Sequence, residues 1–230
     1  NMRPIIGKDL PFYANLGIAQ IESIIKENNT AQIADLVGSL QADGLIVHIN
    51  PLQEWLQPEG DRFLQPPLNT LKNLMEKADF PVIVKEVGQG FGPASISALL
   101  QLPIAALDFG ALGGTNFSKL ELLRNETAKL EANSPLAHIG HTAADMIDFV
   151  NKANEELKDK VLCREIIISG GIQNFTDGFY CMQKLQLKSV YAQASALLRY
   201  AKDDISALRS YVKTQADGLA LCRNFLTLRA

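Results

Sequence analysis

The chain has 230 residues and a formal net charge of −3, and its hydrophobic content of 47% is ordinary for a globular core. The sequence carries no basic run, which excludes nucleic acid as an expected partner. It also shows neither a signal-peptide pattern nor an apolar stretch long enough to cross a membrane. Its three cysteines are widely spaced and form no CxxC pair, so we expect buried thiols and a cytoplasmic protein.

Six strand candidates follow one another along the chain, separated by helical segments. Apolar runs predict strands at residues 12–15, 44–49, 82–87, 105–109, 165–169 and 189–192. Amphipathic periods predict helices at residues 18–26, 30–40, 68–78, 94–102, 143–157, 178–185, 194–200 and 204–225. Residues 119–141 show weak periodicity, and we interpret them as an insertion. Strands that alternate with helices are typical of βαβ units and of a parallel sheet.

Polar or glycine-rich sequence follows almost every predicted strand. A doubly wound sheet gathers such residues at one switch point, whereas a barrel builds its site from all of the loops that follow its strands. The distribution therefore favours a TIM-type (β/α)8 barrel, as a single domain over residues 1–230. About six βα units are present where a barrel has eight. Either two N-terminal units are absent from this sequence, or the fold is not a closed barrel.

The second predicted strand leads into the richest group of polar side chains. Because successive residues of a strand alternate between its faces, His48 and Asn50 are expected on the same face. Pro51 is expected to turn the chain and to place Gln53 and Glu54 above them. Magnesium is commonly bound by one or two carboxylates together with substrate phosphates, which makes Glu54 a candidate metal ligand. The alternative for any one of these residues is a solvated loop.

Two glycine-containing loops are candidates for binding phosphate. Gly170 and Gly171 follow the fifth strand, and the loops after the last strands of a barrel often bind phosphate through backbone N–H groups. A tight turn is the alternative, since Gly-Gly forms turns routinely. Thr115 follows Gly114 in a similar loop, where backbone and hydroxyl groups suit a phosphate or a ring edge. The loop at 88–92 lacks the spacing of a nucleotide fingerprint.

Lys85 ends an apolar strand, where a lysine is rare unless it is paired or functional. It is a candidate Schiff-base lysine, an anion-binding group, or a cation beside a cofactor ring. The alternative is an interior ion pair with Glu86, since structural networks also hold such groups. His138 and His141 lie close together but lack a paired ligand cluster, so we interpret them as surface or insertion residues.

Taken together, these motifs resemble the type 2, flavin-dependent isopentenyl diphosphate isomerases. The resemblance is carried by the segments YANLGIAQ at 13–20, HINPLQE at 48–54 with QPEGD at 57–61, VIVKEVG at 82–88, GGTN at 113–116 and SGG at 169–171. These segments occur in the order that the family has, and they cover nearly the whole chain. As a set they are highly specific.

The resemblance implies a (β/α)8 barrel that binds FMN, uses Mg²⁺, takes electrons from a reductant that is usually NADPH, and forms a homo-oligomer that is usually a tetramer. Its activity would be the interconversion of isopentenyl diphosphate and dimethylallyl diphosphate in isoprenoid biosynthesis, with reduced flavin as acid and base. The flavin contacts that it implies are Asn15, Lys85, Thr115, Gly170, Gly171, Ala194 and Ser195. No membrane partner is implied.

The resemblance also assigns roles on the substrate side of the site. It makes Gln53 the polar residue beside the isomerising carbons and Glu54 the magnesium ligand. His48 and Asn50 would act with Gln53 and help to seat the diphosphate.

This chain departs from the family pattern at a few positions. Gln173 stands where most relatives have an Arg, and Ala192 and Ser195 stand where many have Gly and Arg. Phosphate binding is therefore expected to depend more on backbone amides than on guanidinium groups. The family's N-terminal third, with an Arg-Lys clamp and a Met-Thr-Gly-Gly loop, is not in this sequence. The alternatives are a truncated, non-catalytic flavin- or phosphate-binding fragment and another FMN-dependent barrel oxidoreductase, such as a 2-hydroxy-acid oxidase. Residues 165–173 do not contain the His base and the Arg pair that a 2-hydroxy-acid oxidase would need for its substrate.

Overall fold

The computed structural model describes residues 2–61, 63 and 65–229. Six strands form one parallel sheet: β1 Tyr13–Gly17, β2 Gly44–Ile49, β3 Val82–Glu86, β4 Ala106–Asp108, β5 Glu165–Ile168 and β6 Lys188–Tyr191. Their order in the sheet is their order in the chain. A doubly wound sheet reverses its strand order at a switch point, and this one does not. The parallel α/β architecture of TIM type is therefore confirmed, with six βα units in the described part.

Helices alternate with these strands as the sequence predicts. They are α1 Arg3–Ile6, α2 Ile18–Lys26, α3 Ala31–Leu40, α4 Pro51–Leu56, α5 Pro67–Met75, α6 Pro93–Leu100, α7 Phe117–Leu122, α8 Thr127–Asn133, α9 Ala143–Leu157, α10 Phe175–Lys184, α11 Ser195–Asp203 and α12 Ile205–Phe225. Short 3-10 helices lie at Ser134–His138 and Lys158–Lys160. None of the described helices is long and apolar enough to span a membrane.

Two details differ from the sequence-based expectation. The segment interpreted as an insertion is mostly helical, because α7, α8 and the 3-10 helix after them occupy most of it. Pro51 does not turn the chain, since it is the first residue of α4. Proline suits that position, because its fixed φ matches a helix and the first N–H of a helix has no partner within it. Gln53 and Glu54 are thus carried on a helix.

The core lies between the outer face of the sheet and the helices. Val47, Val84, Leu107 and Ile166 are aligned across four neighbouring strands, and all are fully buried. Helices α6 and α9 pack on each other and add apolar side chains such as Ile96 to the same core. Burying each such side chain contributes roughly 1.5–3 kcal/mol, so the helix layer holds this face of the sheet firmly.

The opposite face of the sheet carries polar residues at the ends of its central strands. His48 is aligned with Lys85, and Lys85 is aligned with Asp108, on three neighbouring strands. Because residues alternate along a strand, these three follow the buried apolar row and face the other side. Edge strands β1 and β6 each pair with one neighbour in the described part, and Val190 on β6 is 58% exposed although it is apolar. Both edges of the sheet are therefore open in the described part of the chain.

Candidate functional site

A cavity of about 320 Å³ lies at the C-terminal ends of β3, β4, β5 and β6. Six of the seven residues that the sequence assigns to the cofactor line it: Lys85, Thr115, Gly170, Gly171, Ala194 and Ser195. They come from the end of β3 and from the segments that follow β4, β5 and β6, so it is the fold that brings them together. Ligand pockets commonly measure 300–1,000 Å³, which places this one at the lower end of the range. The roles of these residues stay predictions.

Asn15, the seventh residue, is not among the residues that line the cavity, and its side chain contacts His48. The Nδ1 atom of His48 lies 2.9 Å from Oδ1 of Asn15, which makes His48 Nδ1 the donor because an amide oxygen only accepts. Burial lowers the pKa of His48, and the nearby charge of Lys85 lowers it further, against a smaller opposing effect of Glu54. His48 is therefore neutral near pH 7, with Nδ1 protonated and Nε2 an acceptor.

Lys85 and Glu86 lie on opposite faces of β3. The ammonium of Lys85 donates a hydrogen bond of 3.0 Å to the backbone oxygen of Glu86. The Glu86 carboxylate instead accepts four backbone N–H groups, from the four residues that follow it: Val87, Gly88, Gln89 and Gly90. Among the described residues no ion pair joins the two side chains, so the ion-pair alternative is not what the structure shows. The Lys85 charge remains at the cavity.

The glycine loop after β5 packs its backbone closely against the backbone of the loop after β4. Gly170 has a φ of +90°, and a Cβ at this position would collide with the backbone of Ala111. Gly171 has a φ of +78°, and its Cα packs against the Gly113 loop. Positive φ values favour glycine, so this loop is also a tight turn, as the alternative interpretation holds. The two interpretations are compatible, because the turn itself lines the cavity.

Sequence reasoning missed Asp108 and Ser169 at the floor of the cavity. The Ser169 hydroxyl donates to Oδ1 of Asp108, and the Gly110 N–H lies 2.9 Å from Ser169 Oγ and 3.3 Å from Asp108 Oδ1. Burial raises the pKa of Asp108, although the Ser169 hydrogen bond and the Lys85 charge oppose the rise. The available signal was the position of Asp108 at a strand end, in register with Lys85.

Three of the predicted substrate-side residues, Asn50, Gln53 and Glu54, form one hydrogen-bonded group at the start of α4. The amide Nδ2 of Asn50 donates to Glu54 Oε1 at 2.8 Å and to Gln53 Oε1 at 3.3 Å. The other carboxylate oxygen of Glu54 accepts the N–H of Asp61 at 2.9 Å. Asn50 is 3% exposed, and its Oδ1 has no hydrogen-bond partner. A buried acceptor without a partner is costly, which marks this point as a place for a ligand or water donor.

A second residue that sequence reasoning missed is Glu121 on α7. Glu121 is 3% exposed, and its Oε1 accepts from Gln57 at 3.0 Å and from Gln53 at 3.4 Å. Its other oxygen lies 2.5 Å from Arg124, which also pairs with Glu59 at 2.6 Å. Burial raises the pKa of Glu121, but the hydrogen bonds from Gln57, Arg124 and Gln53 outweigh burial and leave the pKa below its usual value. Glu121 is therefore an ionised group that orients the Gln53 amide.

Glu54 suits the predicted magnesium site only if a bound ligand supplies further oxygen atoms to the metal. No group of three or more His, Cys, Asp or Glu side chains is gathered in the part of the chain that the structure describes. Magnesium often takes one or two carboxylates and fills its other positions with water and substrate phosphates. Glu54 beside a bound diphosphate meets that requirement.

The two insertion histidines lie apart from this site. His138 is exposed at the end of a 3-10 helix. His141 packs edge-on against Phe149, and its backbone N–H donates to the oxygen of Gln89, so it holds two loops together. All three cysteines are free and buried, and burial raises the pKa of Cys163 to about 11, which makes that thiol unreactive.

The fold is a parallel α/β fold of TIM type, with a cavity at the C-terminal ends of four of its strands. Among solved structures, the chain is similar to a mandelate oxidase mutant with a monooxide FMN adduct. The TM-score is 0.51 and the identity 10%, over 87% of this chain and 55% of that chain. At this identity the match shows the shared fold alone.

Curated proteins give a more specific match. The isopentenyl-diphosphate delta-isomerase of Rickettsia felis is 28% identical over 228 residues, which are 97% of this chain and 63% of that protein. The proteins of the same name from Deinococcus radiodurans and Chlorobium phaeobacteroides are 32% and 33% identical, over 90% and 83% of this chain and 57% and 53% of their own lengths. No family model matches the chain.

The chain is thus a homologue of the isopentenyl-diphosphate delta-isomerases along most of its length, and the predicted resemblance to isopentenyl diphosphate isomerases is confirmed. It spans between a half and two thirds of the length of these relatives.

Proposed function

We propose that the protein containing this chain is an FMN-dependent isopentenyl-diphosphate delta-isomerase of type 2, which interconverts isopentenyl and dimethylallyl diphosphate with the help of Mg²⁺. The observation that carries the proposal is the convergence of Lys85, Thr115 and the Gly170–Gly171 loop on one cavity. These residues are separated by up to 86 positions in the sequence, and the family resemblance implies a flavin contact for each of them. The relatives are named isopentenyl-diphosphate delta-isomerases, and these names support the reaction that we propose.

The groups around the cavity fit FMN chemically. The amides of the Gly170–Gly171 loop and the start of α11 at Ser195 offer N–H donors to a phosphate. Lys85 supplies a cation and Thr115 a hydroxyl for the ring. Reduced FMN, when bound, supplies acid–base chemistry for a proton shift without net oxidation.

The residues on α4 and its neighbours would hold the substrate. Glu54 would bind the diphosphate through Mg²⁺, and neutral His48 and Asn50 would donate and accept hydrogen bonds beside it. Gln53 would lie beside the reacting carbons, with its amide held by Glu121.

NADPH as reductant, a cytoplasmic location and a homotetramer are further parts of the proposal, and they rest on the family resemblance. The 2-hydroxy-acid oxidase alternative receives no support from the cavity. Among the described residues that line it there is neither a His nor an Arg to serve as base and carboxylate clamp.

The proposal is tested by titrating FMN into the protein and following the quenching of flavin fluorescence. We expect saturable binding that weakens about tenfold or more in Thr115→Val, because removal of one hydrogen-bond donor in a desolvated site costs about 1–3 kcal/mol. Thr214→Val, on the outer surface of α12, is the matched control and should bind like the parent. Absence of saturable binding by the parent, or equal loss in both variants, would contradict the proposal.

A further inference from the structure

Two opposite charges lie at the same level of neighbouring strands without pairing. Lys85 on β3 is aligned with Asp108 on β4, and both residues line the cavity. Neighbouring strands are about 4.8 Å apart, so the two side chains are close enough for an ion pair to form across this gap. Among the ion pairs of the described residues there is none between them, and the Lys85 ammonium bonds instead to a backbone oxygen. Both charges are therefore available to a ligand.

The Asp108 carboxylate is held in place by two donors from the loops around the cavity. Ser169 and Gly110 both donate to the same oxygen, Oδ1, while the Gly110 N–H also reaches Ser169 Oγ. This triangle joins the end of β4 to the start of the Gly170–Gly171 loop. Burial raises the pKa of Asp108, while the Ser169 hydrogen bond, the Lys85 charge and the Gly110 N–H favour the ionised form and oppose the rise. The geometry is that of a fixed negative charge, not of a passing contact.

We propose that Asp108 is the counter-charge to Lys85 in the cavity and that it weakens the binding of reduced FMN relative to oxidised FMN. This inference rests on the proposed function, since it takes FMN as the ligand of the cavity. An anionic reduced ring is stabilised by the Lys85 ammonium and destabilised by a carboxylate at the same level. The two residues together set the ratio of the affinities for reduced and oxidised FMN. Removal of Asp108 should shift this ratio in one direction, and removal of Lys85 should shift it in the other.

The test compares the dissociation constants of oxidised and reduced FMN, the latter measured anaerobically, in the longest natural form of the protein. Asp108→Asn keeps an oxygen acceptor for Ser169 and Gly110 and removes only the charge. We expect it to bind reduced FMN about tenfold more tightly relative to oxidised FMN, which corresponds to about 30 mV for a two-electron couple. Lys85→Met should change the same ratio in the opposite direction.

A charge control is provided by Asp35→Asn, because Asp35 is exposed on α3. It removes the same charge far from the cavity and should leave the ratio within twofold of the parent. If Asp108→Asn fails to fold, Asp108→Ser removes the charge in a smaller side chain that still has an oxygen, and the same shift is expected.

An unchanged ratio in a folded Asp108 variant, together with a changed ratio in Lys85→Met, would overturn the counter-charge role and leave the proposed function standing. A parent protein that binds FMN in neither redox state would overturn both. A ratio that moves equally in Asp35→Asn would show a general charge effect and would also overturn the inference.

Discussion

Gln53 on α4 donates from its amide to the buried carboxylate of Glu121 on α7, a residue 68 positions later, at 3.4 Å. The amide oxygen of Gln53 meanwhile lies 3.3 Å from Nδ2 of Asn50. An amide with a carboxylate on one side and a donor on the other has only one favourable orientation. Glu121 therefore determines which end of the Gln53 side chain faces which neighbour.

The first prediction concerns this contact. Glu121→Ala removes the acceptor of Gln53 and Gln57, and we expect kcat to fall about 10²-fold, because small misplacements of a reacting group have costs of that size. The free energy of unfolding should fall by about 1–3 kcal/mol as two amides lose their partner. Glu59→Ala is the matched control, since it removes an exposed partner of Arg124 and should leave kcat within threefold. Equal effects of the two variants on kcat would refute the orienting role.

The second prediction concerns magnesium. Glu54→Gln keeps the shape of the side chain and one acceptor oxygen, which can serve either Asn50 or Asp61 but not both, and it removes the charge that attracts Mg²⁺. Activity that depends on magnesium should be lost, while FMN remains bound with an affinity within threefold of the parent. Parallel assays of isomerisation and flavin fluorescence measure the two properties. Loss of FMN in this variant would mean that Glu54 has a structural role instead.

The third prediction concerns Lys85. Lys85→Met keeps much of the volume and removes the cation from the cavity, so the anionic reduced ring loses its partner. The reduction potential of bound FMN should fall by tens of millivolts, since about 30 mV corresponds to about 1.4 kcal/mol for a two-electron couple. Spectroelectrochemical titration gives the potential. An unchanged potential in a variant that still binds FMN would remove Lys85 from the flavin site.

The fourth prediction concerns the glycine loop. Gly170→Ala places a Cβ against the backbone of Ala111 at a positive φ, so it should lower the free energy of unfolding by about 2 kcal/mol or more and weaken FMN binding. Gly38→Ala is the matched control on α3, where a Cβ would meet no atom within 4 Å. That variant should be neutral or more stable by about 0.5–1 kcal/mol, with FMN binding unchanged. Denaturant unfolding with and without FMN measures both, and a Gly170→Ala protein as stable as the parent contradicts this account of the loop.

The fifth prediction concerns pH. Burial raises the pKa of Glu86, although four backbone N–H groups oppose the rise. A raised pKa means that the folded state holds its proton more tightly, so stability contributed by this group falls as pH rises from the unfolded value, about 4.3, to the raised value. Glu86→Gln does not titrate, and the parent-minus-variant difference in unfolding free energy should therefore decrease across that window. A difference that is flat or increases with pH would contradict the burial argument.

Sequence periodicity was sufficient for the elements that have strong local signals. The bounds of β2 and α9 agree with the prediction, because an uninterrupted apolar run and a 15-residue amphipathic period define them. Helices α7 and α8 were missed as helices, since six- and seven-residue segments have little intrinsic helical stability and depend on tertiary contacts.

The parts of the site that escaped prediction are all long-range. Asp108 meets Ser169 across 61 positions, and Glu121 meets Gln53 across 68. No local pattern in the sequence indicates which strand ends and helices will come together. Lys85, Thr115 and Gly170 could be predicted as a group because the resemblance names them together; in the structure they line one cavity, and their roles stay predictions.

The most direct test of the central claim is to incubate the protein with isopentenyl diphosphate, Mg²⁺ and chemically reduced FMN in D2O and to follow the reaction by NMR. We predict that dimethylallyl diphosphate forms with deuterium incorporated, that no product forms when FMN is omitted, and that FMN is not consumed. Product formation at the same rate without FMN, or no product in its presence although FMN is bound, would contradict an FMN-dependent isomerase.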